Sequence, residues 1–136
     1  MMSRFRKTRG FSLIELMVVL AIMGVVMSLT GGLVFKAFEK NKRHVELQRI
    51  KQTFKVYSYK SFYTGANIKI KLRDNQAIIT NMVDDSTKIM MFDSLNFVSD
   101  TFSISRKLTV VPNQFGIFIN EIPVFYPVPS VLKNEK

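Results

Sequence analysis

The residue most out of keeping with its surroundings is Glu15, a carboxylate inside the apolar segment FSLIELMVVLAIMGVVMSLTGGLVF of residues 11–35. A charge near the start of such a run is costly in a bilayer and marks a functional site by default. Glu15 stands four residues after Phe11, which places both on one helix face. Immediately before them, Gly10 closes a short basic stretch, MMSRFRKTRG. Glycine offers a protease a flexible, unhindered backbone. The cations Arg4, Arg6, Lys7 and Arg9 hold that stretch at an anionic leaflet. Together these residues point to cleavage beside a glycine at a membrane edge, and to a carboxylate with a task inside the membrane.

Other candidates for chemistry are sparser. Lys69, Lys71 and Arg73 alternate with Ile68, Ile70 and Leu72, so the three cations share one face of a strand. They could contact the phosphates of DNA, but the solvated face of an amphipathic strand is the simpler reading. Asp84, Asp85 and Asp93 are too few and too scattered for calcium, which takes six to eight oxygen ligands. Solvated turn acids describe them better. The single histidine, His44, lies in the basic run Lys42-Arg43-His44 and reads as a solvated helix residue. Cysteine is absent, which excludes disulfides and thiolate metal sites. No nucleophile–base pair or phosphate loop is visible, so no enzymatic activity and no cofactor are expected.

These residues need elements to carry them. From Leu16 to Phe35 the chain has no charged residue, and a helix of that length is about 30 Å long, the thickness of a bilayer core. A cleavable secretory signal has a shorter apolar core followed by a small-residue site, which is not seen here. Gly31-Gly32 could mark a place where the helix loosens. Residues 36–64 read as an amphipathic continuation, with Phe35, Phe38, Val45, Leu47, Ile50, Phe54 and Tyr57 as its imperfect apolar stripe. Glu39 and Arg43 form a favourable pair one turn apart. Gly65 is the expected stop, which predicts one helix of about 45 residues.

Beyond Gly65 the period changes to two. The strand Ile68 to Leu72, the turn signal Asp74-Asn75 and the run Gln76 to Met82 predict a hairpin. Further short strands are expected over Thr87–Phe92, Thr101–Arg106, Leu108–Val111 and Phe115–Ile119. Pro123, Pro127 and Pro129 confine the tail to an edge strand or an irregular segment, and Leu132 to Lys136 are expected to fray. The fold class is α+β: one long N-terminal helix packed on an antiparallel β domain. The boundaries are 1–10, 11–35 (membrane half of the helix), 36–64 (amphipathic half) and 65–136.

The net charge is +10, but it is unevenly spread. Residues 36–60 carry eight Lys/Arg against Glu39 and Glu46, whereas residues 61–136 carry eight against seven acids. The basic character belongs to the leader and the helix, where lipid headgroups are the natural partner. The two flanks of the apolar run are similarly basic, so charge alone does not orient it.

Gly10, Phe11 and Glu15, followed by Leu16-Met17-Val18-Val19-Leu20-Ala21-Ile22, resemble the signal of the type IV prepilin superfamily. The resemblance implies that prepilin peptidase cuts between Gly10 and Phe11, residues 1–10 being the leader, and methylates the new amine of Phe11. It further implies that Glu15 meets the N-terminal ammonium of a neighbouring pilin or pseudopilin subunit, and that an inner-membrane assembly platform is a partner. The expected location is the bacterial inner membrane, single-pass, with the leader cytoplasmic and the β domain periplasmic or otherwise outside the membrane. The sequence departs from many major pilins, which have a proline in this helix, by holding Gly31-Gly32 in that stretch. The β-rich, cysteine-free remainder is similar to the H-type minor pseudopilins of type II secretion. It is also similar to FimT-like minor pilins and competence pseudopilins, some of which bind DNA.

Overall fold

The computed structural model describes residues 10–129 and Val131. Residues 1–9, with the leader cations, and residues 132–136, where fraying was expected, lie outside the described residues. Helix α1 spans Leu13–Thr64, 52 residues, and so exceeds the expected length. It runs through Gly31 and Gly32 without a break, so neither glycine loosens it. Isolated glycines weaken a helix but do not end one when its hydrogen-bond ladder continues. At the other end Gly65 takes φ +71° and its amide donates to the Ser61 carbonyl (2.9 Å). This left-handed cap is the stop the glycine implied.

Two compact units divide between Phe38 and Glu39. In the first, the side chains of α1 from Leu13 onward are exposed, and its most apolar stretch has a mean hydropathy of 2.4. Among the described residues this is one helix long and apolar enough to cross a membrane.

In the second unit the rest of α1 packs on a seven-stranded antiparallel sheet. The strands are β1 Ile68–Asp74, β2 Gln76–Asn81, β3 Thr87–Met91, β4 Phe97–Ile104, β5 Val110–Val111, β6 Gln114–Ile119 and β7 Ile122–Pro127. Their order is β3-β2-β1-β4-β6-β7, with β5 paired to β4. The hairpin β1–β2 turns at Asp74-Asn75, with Arg73 opposite Gln76 and Asp74 in the left-handed region (φ 51°). Strand β4 starts at Phe97, earlier than the Thr101 expected from the alternation. Its pairing with β1 shifts between Leu72 and Asp74, and such an irregularity breaks the period of two.

Ile68, Ile70, Leu72, Ala77, Ile79, Phe97, Phe102, Ile104, Phe115 and Ile117 form the sheet's share of the core. The helix contributes Leu47, Ile50, Thr53, Phe54, Ser58 and Ser61, a regular run of threes and fours. This corrects the expected stripe. Val45, Phe35 and Phe38 are about two-thirds exposed, while Ser58 and Ser61 are fully buried. Burial of the serines is tolerable because both hydroxyls donate, Ser58 to the Phe54 carbonyl (2.8 Å) and Ser61 to the Ala66 carbonyl (2.7 Å). At the centre, Phe54 meets the ring of Phe102 edge-on at 5.1 Å.

Both sheet edges are blunted. Of the two forms expected for the proline-bearing tail, an edge strand or an irregular segment, Ile122–Pro127 takes the first as β7, and its Pro123 and Pro127 have no amide hydrogen to offer. On β3, Lys88 stands opposite core-facing Ile79, which sets a charge on the inner side of the open edge. Both are devices against pairing with another strand.

Candidate processing and assembly site

The first helical residue is Leu13, so the Gly10–Phe11 peptide bond lies before the helix. Gly10 is exposed and Phe11 is 86% exposed. A bond outside the helical ladder can adopt the extended form a protease needs. What ends the helix there is a reciprocal cap. The Ser12 hydroxyl accepts from the Glu15 amide (3.3 Å), and the Glu15 carboxylate accepts from the Ser12 amide (3.1 Å). This is a capping box, in which two amides orphaned at the helix start are satisfied by each other's side chains. The carboxylate also sits at the positive end of the helix dipole. The pattern Ser-x-x-Glu over Ser12–Glu15 could have revealed this in the sequence, but there Glu15 stood out only as a charge among apolar residues.

Phe11 precedes the helix, so the helical spacing expected to set it on one face with Glu15 does not apply, yet both residues border one hollow. With Ile14, Val18 and Val19 they line an open, almost wholly apolar hollow. A carboxylate at its rim is exposed in a single subunit and would be desolvated by anything packed against it.

Lys69, Lys71 and Arg73 all project from the face of β1 opposite the core and are exposed. Their cross-strand partners are Thr80, Ile78 and Gln76 on β2, and Ser103 and Thr101 beside the two lysines on β4. None of these is acidic. Arg73 is paired with its neighbour Asp74 (3.4 Å), an exposed ion pair. The structure therefore groups the three cations with one another but far along the chain from Glu15.

A second helix-borne carboxylate, Glu46, has a role that the sequence did not show. Its two oxygens accept from the amides of Asp93 (2.8 Å) and Ser94 (2.7 Å), and Lys42 pairs with the Asp93 carboxylate (3.1 Å). The loop between β3 and β4 is thereby fastened to the helix. Glu39 and Arg43, expected to pair, do not form an ion pair among the described residues. Asp84 is held below the ordinary carboxylate value, first by the Ser86 hydroxyl (2.7 Å) and then by the Ser86 amide (3.1 Å). Asp84 and Asp93 are thus engaged in a turn and an ion pair. Among the described residues no group of three His, Asp or Glu gathers as a metal site.

Residues 5–31 match the family described as the prokaryotic N-terminal methylation motif, and that span includes Gly10, Phe11, Ser12 and Glu15. No curated protein and no solved structure matches the chain. The motif is typical of type IV prepilin-like proteins, which prepilin peptidase processes and which assemble with one another, and the apolar helix behind it fits a membrane-anchored protein of that kind.

Proposed function

We propose that the chain is a minor pseudopilin-like filament subunit of a type II secretion pseudopilus. Prepilin peptidase cuts between Gly10 and Phe11 and methylates Phe11, and the subunit assembles through α1. The observation that carries this reading is the placement of Glu15. An exposed carboxylate heads an apolar helix, five residues after a glycine that lies outside the helix. Inside a bilayer an isolated carboxylate is costly, so a neighbour that brings an ammonium is favoured and register is set. The blunted sheet edges support the same route, because they disfavour strand addition and leave the helix as the polymerising element. The leader stays cytoplasmic and the β domain lies outside the inner membrane. The chain carries out no catalysis, takes no cofactor, and works with an assembly platform and lipid headgroups.

The test uses the full chain in cells with an active prepilin peptidase and partner subunits. Glu15→Ala leaves cleavage intact and lowers filament incorporation severalfold; normal incorporation refutes the pairing. Gly10→Val leaves an unshifted precursor band.

A second reading, a FimT-like or competence subunit that binds DNA, has one observation in its favour. Lys69 and Lys71 of the Lys69–Lys71–Arg73 row have no acid opposite them on either neighbouring strand, while Arg73 pairs with Asp74. Gel-shift titration of wild type against Lys69→Ala/Lys71→Ala decides it. The reading requires micromolar binding that weakens with salt and is lost in the variant.

A further inference from the structure

We propose that the outer face of the sheet, the side turned away from α1, docks an acidic segment of a partner protein that carries apolar anchors. Strand register sets this face. Lys71 of β1 stands opposite Ile78 of β2, and Ile78 opposite Ile89 of β3. Arg73, Gln76 and Met91 form the next row across the same strands. These residues alternate with the core-facing Ile70, Leu72, Ala77 and Ile79, so they point the other way. A row of cations thus runs beside an aliphatic strip, in which Ile89 is 58% and Met91 56% exposed.

Charge and apolar surface together define the occupant. Among the described residues Lys69 and Lys71 form no ion pair, and the residues opposite them, Thr80, Ile78, Ser103 and Thr101, are uncharged. Side chains on one strand face repeat about every 7 Å, so carboxylates at alternate positions of an extended segment reach both lysines. Apolar side chains on that segment meet Ile78, Ile89 and Met91. Adjacent aliphatic side chains rimmed by polar ones are a mark of protein-binding surfaces.

Nucleic acid fits this face less well. Tight binders draw on about six to ten phosphate contacts, whereas Arg73 is already paired with Asp74 and only the two lysines remain in this row. The aliphatic strip has no ring on which a base could stack. A sibling subunit fits less well too. Leu47, Ile50 and Phe54 of α1 are buried against the inner side of the sheet. Helices that assemble through the free side of α1 therefore leave the outer sheet face outside their packing, a step that rests on the proposed filament role.

The experiment uses the full chain in detergent and a short fluorescent peptide in which glutamate alternates with leucine, read by anisotropy against empty micelles. Saturable binding is expected. Lys69→Glu/Lys71→Glu weakens it about tenfold or more, because like charges then face one another. Ile89→Ser/Met91→Ser weakens it about tenfold, as expected when two half-exposed apolar side chains no longer become buried. A peptide with glutamine for glutamate binds wild type about tenfold more weakly, a comparison that needs no change in the protein. A single-stranded thymidine oligonucleotide does not displace the peptide. Absence of saturable binding, loss in the lysine variant without loss in the aliphatic one, equal binding of the glutamine peptide, or displacement by the oligonucleotide overturns the proposal. Filament incorporation of Glu15→Ala reports on the filament role alone and this binding on the sheet face alone, so the two fail separately.

Discussion

Replacing Glu46 with alanine should destabilise the globular unit by about 2–4 kcal/mol. The side chain is half-buried and accepts two charge-assisted bonds, from the amides of Asp93 and Ser94 at 2.8 and 2.7 Å. Hydrogen bonds to a charged group contribute about 1.5–3 kcal/mol each, so the pair supplies about 3–6 kcal/mol before discounts. Two discounts apply: water partly replaces the lost acceptor at a half-buried site, and alanine regains a few tenths of a kcal/mol in helix propensity. Glu46→Gln keeps one acceptor oxygen and should lose about half as much. Lys42→Ala removes only an exposed ion pair and should cost under about 1 kcal/mol. Thermal unfolding of the full chain in detergent reads the total, about 4–8 °C per kcal/mol for a unit of this size. Hydrogen exchange at the Asp93 and Ser94 amides locates the effect. A loss under about 1 kcal/mol, or unchanged protection of those two amides, would refute the clamp.

Gly116 lies beneath Phe125, where an added Cβ would stand 2.7 Å from Val98 Cγ2 and 2.9 Å from Phe125 Cε1. Gly116→Ala should cost about 1–3 kcal/mol in chemical denaturation, and Phe125→Ala should relieve part of that cost in the double variant. Ser61→Ala strips the buried Ala66 carbonyl of a donor and should cost about 1–3 kcal/mol. Ser58→Ala should be near neutral, because its hydroxyl only doubles an intrahelical carbonyl contact. The folded-state pKa of Asp84 is depressed below 3.8, so its contribution to stability is present above that value and is lost as pH falls through the lowered one. In an NMR titration Ser86→Ala should move Asp84 back toward 3.8, since the Ser86 hydroxyl is the largest cause.

Much of the fold was legible because its signals are local. The alternation from Ile68 to Arg73 placed three cations on one face, and Asp74-Asn75 marked the turn that pairs β1 with β2. Gly65 marked the end of α1, and the prolines limited the tail to an edge strand or an irregular segment. The helix stripe was misjudged where hydropathy and burial part company. Val45 is apolar yet exposed, because its direction misses the sheet, and Ser58 and Ser61 are polar yet buried, because their hydroxyls find backbone acceptors. The early start of β4 escaped notice because a shifted pairing removes the alternation by which strands are read.

The same distinction separates what the sequence alone determined from what the tertiary structure decided. Gly10, Phe11 and Glu15 ahead of a long uncharged run are a pattern within two helical turns, and one-dimensional order is enough to read it. The capping partner of Glu15 also lies within that span, at Ser12. The task of Glu46 could not be read in this way. Its partners are 47 and 48 residues away, and the amides it binds are brought to it only when the sheet folds back onto the helix. Two glutamates on one helix thus take different roles: one is capped by its own turn, and the other is used up by a loop that arrives from across the fold.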